Sequence, residues 1–275
     1  MLFLGIDGGG SGCRAAVADA RGVLGRGSAG PANINTDLDG AAASILAATR
    51  AALPDGADPA GLTAVLGLAG GTMGAAAEGL AARLPFRRLR IVNDSVTLAR
   101  GALGPEDGIL AAMGTGSVFA VQRAGALRQV GGRGFLMGDE GSGAVLGRSL
   151  LAQAMRAADG FRPMTPLLAA LLDEFGGIEG IIAFGNRARP ADFARLAPRI
   201  VASADPAAAA LFDAAVAELR AQIARLQDGA PLPVVFTGGL GPAYAARLGS
   251  VPQRPAAGTG VDGALALARE LAQSP

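Results

Sequence analysis

Residues 2–18 read LFLGIDGGGSGCRAAVA, and this stretch decides the fold class. The apolar run 2–6 is typical of a buried strand, and residues 13–18 alternate like a second strand. The glycines between them therefore form a turn that joins strand to strand. Dinucleotide-binding and P-loop folds need a helix after such a loop, and the chain also lacks G-K-[ST]. The sequence thus argues against both folds.

The same pattern returns about one domain later. Residues 109–113 (ILAAM) predict a strand, Gly114-Thr115-Gly116 a turn, and 117–122 (SVFAVQ) a returning strand. Glycine turns let backbone N–H groups converge on phosphate oxygens because no Cβ blocks the approach. Either turn alone is more typical of a plain hairpin. The pair predicts a duplicated fold with two phosphate loops that face each other.

The rest of the chain alternates between strand and helix patterns. Further strands are predicted at 23–28, 63–68, 89–93 and 233–237. Helices are predicted at 37–53, 73–84, 95–103, 141–158, 163–172, 190–203, 206–227 and 260–272. A Gly- and Pro-containing segment at 104–108 marks the predicted domain boundary.

Composition excludes several classes of function. The chain has no His and one Cys, so Ser-His-Asp catalysis, Cys-His catalysis, His-ligated zinc and an internal disulfide are ruled out. Lys plus Arg number 24 against 23 Asp plus Glu, and there is no basic run, so no nucleic-acid partner is expected. No signal-peptide pattern or long apolar run is present, so we expect no membrane partner and a cytoplasmic address.

Carboxylates are the remaining candidates for acid–base and metal chemistry. Asp7 ends the first strand, where it could hold Mg²⁺ through water or simply flank an exposed hairpin. Asp94 lies between the strand 89–93 and the helix 95–103. It could cap that helix or act as general base for a sugar hydroxyl, and both interpretations remain open here.

Three glycine-rich segments could contact ligands. Gly131-Gly132-Arg133-Gly134 and Gly138-Asp139-Glu140-Gly141-Ser142-Gly143 combine glycines with carboxylates that could accept hydrogen bonds from sugar hydroxyls. Asp139 could instead cap the helix that follows. In Thr237-Gly238-Gly239-Leu240-Gly241 a strand is followed by glycines and then a helix. The glycines could let a flat nucleotide base lie against the backbone, or they could simply form the turn between strand and helix.

Four of these motifs together resemble one family. Residues 6–11 (IDGGGS), 111–117 (AAMGTGS), 138–143 (GDEGSG) and 237–240 (TGGL) occur in the order seen in the BadF/BadG/BcrA/BcrD ATPase family. More narrowly, the chain resembles bacterial glucosamine kinases and N-acetylglucosamine kinases over nearly its whole length. The resemblance implies an α/β fold of the actin/hexokinase/Hsp70-like (ASKHA) kind, with duplicated ribonuclease-H-like domains around a central cleft.

The resemblance also implies the domain limits. An N-terminal actin-like ATPase domain is expected over 1–105. A C-terminal actin-like ATPase domain with a helical insertion is expected over 106–275. The terminal helix over 260–272 is a candidate to pack back on the N-terminal domain.

The family's functional residues map onto positions of this chain. Asp94 would be the base that activates the 6-hydroxyl of the sugar, and Asp7 would serve Mg²⁺. ATP would be bound by Gly9, Gly10, Ser11, Thr115, Gly116, Gly238 and Gly239. The sugar would be bound by Asn33, Asp94, Ser117, Gly132, Arg133, Gly134 and Asp139.

The substrate expected from the resemblance is glucosamine, phosphorylated by ATP to glucosamine 6-phosphate. Animal N-acetylglucosamine kinases of the family have Trp where this chain has Arg133, so glucosamine is placed ahead of N-acetylglucosamine, and a muramic acid derivative stays open. A homodimer is expected. The iron–sulfur branch of the family needs two Cys per chain, and Cys13 alone excludes it. A non-catalytic sugar or nucleotide sensor on the same fold is the distant alternative.

Overall fold

The computed structural model describes residues 1–10, 12–34, 36–69, 74–229 and 231–273. It divides into two compact units. Unit 1 comprises Met1–Asp107, Gln122–Arg128 and Pro255–Pro275. Unit 2 comprises Gly108–Val121 and Gln129–Arg254. The domain limits expected from the sequence, and the expectation that the two hairpins face each other, stay predictions.

Unit 1 is built on a five-stranded sheet in the order β3-β2-β1-β4-β5. Its strands are β1 (Phe3–Gly8), β2 (Cys13–Ala18), β3 (Val23–Ala29), β4 (Thr63–Leu68) and β5 (Arg88–Asn93). Strands β1, β2 and β3 pair antiparallel, whereas β4 pairs parallel with both β1 and β5. The predicted strand–turn–strand at the glycine loop is thereby confirmed.

Helices cover both faces of this sheet. They are α1 (Leu38–Ala52), α2 (Gly74–Ala81), α3 (Asp94–Leu103) and α11 (Gly260–Gln273), with a 3₁₀ turn at Pro59–Gly61. Helix α1 approaches β3 so closely that a Cβ on Gly27 would lie 2.3 Å from the Ala48 carbonyl oxygen. On the opposite face, Val261 and Leu265 of α11 pack against Ala16 and Ala18. The sheet is therefore buried on both sides, as parallel strands require.

Unit 2 repeats the arrangement with a four-stranded sheet in the order β8-β7-β6-β9. Its strands are β6 (Gly108–Met113), β7 (Ser117–Arg123), β8 (Ala126–Gly131) and β9 (Val234–Thr237), although the tip of the β7–β8 hairpin, Gln122–Arg128, belongs to unit 1. Its helices are α4 (Gly143–Ala158), α5 (Pro166–Phe175), α6 (Gly177–Gly185), α7 (Pro190–Ala194), α8 (Pro198–Val201), α9 (Pro206–Leu226) and α10 (Gly241–Arg247). In each sheet a three-strand meander adds one parallel strand beside its first strand. The internal echo seen in the sequence is thus a repeated sheet topology.

Two helix predictions in unit 2 were wrong in their limits. The predicted helix 190–203 is two short helices, because Pro198 lacks the N–H that a continuous helix would need and instead begins α8. The predicted helix 163–172 runs over Pro166–Phe175, since Thr165 caps its first turn and Pro166 follows. Strand β8 and helix α6 were not predicted.

Among the described residues no single helix is both long and apolar enough to cross a bilayer. One pair, Pro190–Val201 with Pro206–Leu226, passes by length and composition only and is bent by 107°.

The thiol of Cys13 gives a first prediction. Its side chain is fully buried at the start of β2, and burial raises the pKa of Cys13 from 9.0 to about 12, with a smaller contribution from the Asp7 charge. The thiolate is the reactive form, so at pH 8 its fraction is lowered roughly a thousandfold, before burial slows access further. We expect Ellman's reagent to label the native protein very slowly and to release one thiol per chain in guanidinium. Rapid stoichiometric labelling of the native protein would contradict this burial.

Candidate functional site

Two carboxylates meet at one edge of the unit 1 sheet. The register aligns Gly8 with Leu68 and Leu68 with Asn93, so the carboxyl ends of β1, β4 and β5 coincide. Asp7 lies at the end of β1, and Asp94 begins α3 directly after β5. Because parallel strands end together here, side chains far apart in sequence share one edge. This is the position at which open α/β sheets bind ligands.

The charge of Asp94 acts on the Asp7 carboxyl. Burial raises the pKa of Asp7, and the negative charge of Asp94 raises it further, while the Arg14 guanidinium lowers it. An Arg14 nitrogen lies 3.8 Å from an Asp7 oxygen, but the Arg14 side chain is 76% exposed. The negative charge of the pair is therefore only partly compensated by the protein.

The hydrogen bonds of the neighbouring Asn93 show whether Asp94 caps helix α3. The N-cap of α3 is Asn93, whose Oδ1 accepts from the Ser95 N–H at 3.0 Å and the Ser95 hydroxyl at 2.7 Å. Asp94 Oδ1 also accepts from the Ser95 N–H, at 2.9 Å. Burial raises the pKa of Asp94 against the lowering effect of that hydrogen bond. A carboxyl with a raised pKa is a better proton acceptor, which suits a general base.

The first glycine loop lies beside these carboxylates. The Gly9 N–H donates to the Gly12 carbonyl at 3.0 Å, which closes the hairpin turn. A Cβ on Gly9 or Gly10 would meet no atom of the described residues within 4 Å, and neither has a positive φ. Contacts with the described residues therefore do not require glycine at either position. A glycine backbone without a Cβ is what a phosphate approaching the loop would use. Ser11, the predicted hydroxyl donor of this loop, lies outside the described residues.

Asn33 is held next to the same loop. The N–H of its neighbour Ala32 donates to the Gly9 carbonyl at 2.9 Å. The Asn33 carbonyl accepts from the Thr36 N–H and hydroxyl, at 3.3 Å and 3.1 Å. The structure thus brings the predicted sugar residue Asn33 close to the predicted phosphate residue Gly9.

The second glycine hairpin forms the corresponding site in unit 2. Its turn carbonyls at Gly114 and Thr115 accept from the Gly143 and Ala144 N–H groups, at 2.8 Å and 3.1 Å, which fixes the turn against the start of α4. On the other side, Gly238 has φ of 81°, and a Cβ there would lie 2.4 Å from the Met113 carbonyl oxygen. The predicted ATP residues Thr115 and Gly238 are thereby brought to the same end of the β6–β9 pair. Gly116 and Gly239 adjoin them in the chain.

Asp139 packs directly onto this hairpin. A Cβ on Gly116 would lie 2.7 Å from Asp139 Oδ2, and Asp139 Oδ1 accepts from the Gly134 N–H at 3.2 Å. Asp139 has a positive φ of 59°, a conformation that non-glycine residues adopt rarely. Burial raises the pKa of Asp139, and the neighbouring Glu140 charge adds to that rise. Asp139 is not the N-cap of α4, because Ser142 fills that role.

The predicted sugar-binding residues of the 131–134 loop line two different cavities. Gly132 and Ser117 line one cavity of about 350 Å³. Arg133 and Gly134 line another, largely apolar cavity of about 840 Å³. The Ser117 hydroxyl donates to the Glu140 carbonyl at 2.8 Å, so it would meet a sugar as an acceptor.

Known proteins match this chain over most of its length. A protein-family model of the BadF/BadG/BcrA/BcrD ATPase family matches residues 4–248. The chain belongs to this family. A member from Vibrio cholerae serotype O1, Glucosamine kinase GspK, is 34% identical over 227 residues, which cover 79% of this chain and 77% of that protein.

Solved structures of similar proteins identify the fold of this chain. A crystal structure of a protein provisionally assigned as an N-acetylglucosamine kinase, from Chromobacterium violaceum, has a TM-score of 0.85 and 33% identity, and the match covers 97% of this chain and 98% of that one. A ROK family glucokinase from Streptomyces griseus, solved with glucose and AMPPNP, has a TM-score of 0.60 at 19% identity, and covers 98% and 100%. The expected actin/hexokinase/Hsp70-like fold is confirmed.

Sequence reasoning missed one residue of the carboxylate edge. A Cβ on Gly260 would lie 3.0 Å from Asp7 Cγ, although 253 positions separate the two in the chain. The N-terminus of α11 therefore lies directly behind the Asp7 carboxylate. No local signal in the sequence could have identified this contact, because Gly260 resembles any glycine at a helix start.

Proposed function

We propose that this chain is an ATP-dependent kinase that phosphorylates the 6-hydroxyl of glucosamine. The observation that carries the proposal is the half-buried pair Asp7 and Asp94, set beside a glycine loop whose Gly9 and Gly10 are not required by contacts with the described residues. Sequence identity of 34% to a glucosamine kinase supports the substrate class. Membership of an ATPase family supports ATP as the phosphoryl donor.

Asp94 is proposed as the general base. The 6-hydroxyl of the sugar would lose its proton to Asp94 Oδ2, since Oδ1 already accepts from the Ser95 N–H. When Asp94 accepts this proton, the sugar oxygen becomes a better nucleophile toward the terminal phosphorus. By holding the hydroxyl in line with the leaving group, Asp94 would also lower the entropic part of the barrier. No other acid or base is required, in keeping with a chain that has no histidine.

The remaining predicted residues are proposed to hold the two substrates. Gly9, Gly10, Thr115 and Gly116 would donate backbone or hydroxyl hydrogens to phosphates, and the Gly238–Gly239 turn would lie under the adenosine. The sugar would be held by Asn33, Ser117, Gly132, Arg133, Gly134 and Asp139. A carboxylate such as Asp139, fixed by the Gly134 N–H, can accept hydrogen bonds from sugar hydroxyls without rearrangement.

The Asp7 site fits Mg²⁺. No group of three or more metal-ligating side chains occurs in the part of the chain that the structure describes. Mg²⁺ needs no such cage, since one or two carboxylates, waters and substrate phosphates complete its coordination. The negative charge of Asp7 and Asp94, only partly compensated by Arg14, favours a cation there. When bound, Mg²⁺ would supply neutralisation of the phosphate charge.

Replacing Gly260, which packs behind Asp7, by Ala tests whether the Asp7 carboxylate serves Mg²⁺. The new Cβ would stand 3.0–3.2 Å from the Asp7 carboxyl atoms, so that group must shift by a few tenths of an ångström. We expect the Mg²⁺ concentration for half-maximal turnover to rise roughly tenfold, as for other groups that orient a metal ligand. Calorimetry of ATP binding at several Mg²⁺ concentrations gives a second readout.

The matched control is Gly61→Ala in the same unit. A Cβ there meets nothing within 4 Å, so the Mg²⁺ requirement is expected to stay at the wild-type value. If Gly260→Ala also keeps the wild-type requirement, Asp7 does not serve the metal.

A coupled ADP-release assay tests the function itself. The panel is glucose, glucosamine, N-acetylglucosamine and N-acetylmuramic acid, with glucosamine expected to give the highest kcat/KM. N-acetylglucosamine is the second candidate, because a protein provisionally assigned to that activity has a TM-score of 0.85 with this chain. Stimulation by none of the four would overturn the kinase and favour a non-catalytic sensor.

Location and assembly complete the proposal. The cytoplasm supplies ATP and is the proposed compartment. A homodimer is proposed from the family resemblance, and sedimentation of the purified chain would test it.

A further inference from the structure

We propose that the 350 Å³ cavity of unit 2 receives the protonated 2-amino group of the sugar, with Glu218 and Glu140 as the groups that bind it. The inference rests on the proposed function, because it names how that same site would select an amino sugar. The cavity lies between β7, β8 and α9. Its lining includes Ser117, Gly132, Glu140, Glu218, Gln222 and Arg225.

The cavity shares its walls with the proposed sugar site. Ser117 and Gly132, both assigned to the sugar, line it. The hydrogen bond from the Ser117 hydroxyl to the Glu140 carbonyl, at 2.8 Å, fixes Glu140 against the base of β7. A sugar that contacts Ser117 and Gly132 would therefore present a neighbouring substituent to this cavity.

One face of α9 supplies the charged wall. Glu218, Gln222 and Arg225 are spaced four and three residues apart, which places them on the same side of the helix. Gln222 Nε2 donates to Glu218 Oε1 at 3.0 Å and so orients the carboxylate. Gln222 Oε1 is buried and finds no hydrogen-bond donor among the described residues. A buried acceptor without a donor is unfavourable, and a ligand donor would relieve it.

An ammonium group matches this lining better than the alternatives. It carries three donors and no acceptor, and the polar part of the lining offers two carboxylates and an amide oxygen, while Phe119, Val130, Ala221 and Leu226 make the rest of the cavity apolar. Among the described residues of the lining, Arg225 is the single cation, and it opposes two glutamates. A hydroxyl or an acetamido group carries no charge, so it gains less from the same carboxylates. Gly238 and Gly239, proposed for the adenosine, do not line this cavity.

The test compares glucosamine with glucose, which has a hydroxyl in place of the amine. We expect E218Q and E140Q each to lower the ratio of kcat/KM for glucosamine to that for glucose about fivefold, since exposed charges contribute modestly. R225Q should raise the same ratio, because it removes a like charge. E179Q, which changes an exposed carboxylate on α6 of the same unit, should leave the ratio at the wild-type value.

The outcomes separate the inference from the proposed function. Wild-type turnover of glucosamine tests the proposed function, and the change in ratio tests the subsite. If wild-type turns over glucosamine but E218Q and E140Q keep its ratio, or raise only the KM for ATP, the subsite is overturned and the kinase stands. A fall in the ratio for R225Q would also overturn it. No wild-type turnover of any sugar would overturn both.

Discussion

Replacing Asp94 by Asn is expected to lower kcat by roughly 10²–10⁴-fold while ATP still binds. The amide has nearly the shape of the carboxyl but cannot accept the proton of the attacking hydroxyl. Helix α3 should begin as before, because its cap is Asn93 and not Asp94. The loss would therefore be chemical, and the folded state should keep its stability to within about 1 kcal/mol.

The measurement is kcat with saturating ATP and glucosamine, together with the Kd for ATP. Asp55→Asn is the matched control, since Asp55 is an exposed carboxyl of the same unit and far along the chain from the glycine loop. It should keep wild-type kcat. Near-normal turnover of Asp94→Asn would remove Asp94 from the mechanism, even if the chain proves to be a kinase.

The carboxylate edge was predictable because its signals are local. Each of Asp7 and Asp94 follows an apolar run at the place where a strand ends, and parallel strands bring such ends together. The glycine hairpins were predictable for the same reason, as the turn and both flanking strands lie within about 15 residues. What sequence alone left open was the duty of Asp94. The hydrogen bonds of Asn93 show that Asn93, and not Asp94, caps helix α3, and the role of Asp94 as general base stays a prediction.

The wrong helix limits and the missed elements in unit 2 have two physical causes. Pro198 and Thr165–Pro166 are start signals for α8 and α5, and they conflict with the helical periodicity that runs across them. Helix α6 and strand β8 carry no such signal. The α6 sequence GIEGIIAFG is apolar nearly all round, so it has no period to detect, and tertiary packing alone establishes it as a helix.

Contacts between distant segments could not be predicted, and the approach of α3 to α11 is the clearest case. A Cβ on Gly101 would lie 1.8 Å from the Thr259 carbonyl oxygen, and a Cβ on Gly263 would lie 1.9 Å from the Thr97 carbonyl oxygen. The two helix backbones therefore touch, which only glycine permits. Since α3 begins at Asp94 and α11 begins behind Asp7, this contact also sets the carboxylate pair.

Gly263→Ala is consequently expected to destabilise unit 1 by about 3 kcal/mol or more, because the added methyl group meets backbone on both helices and no side chain can move aside. A loss of that size lowers Tm by roughly 6–12 °C in a chain of this length. Thermal unfolding followed by circular dichroism measures it. Gly74→Ala in helix α2 of the same unit is the control, since a Cβ there meets nothing within 4 Å and alanine favours helix. A Tm for Gly263→Ala equal to that of the control would mean that α3 and α11 do not touch, and the position of Asp94 relative to Asp7 would lose its structural basis.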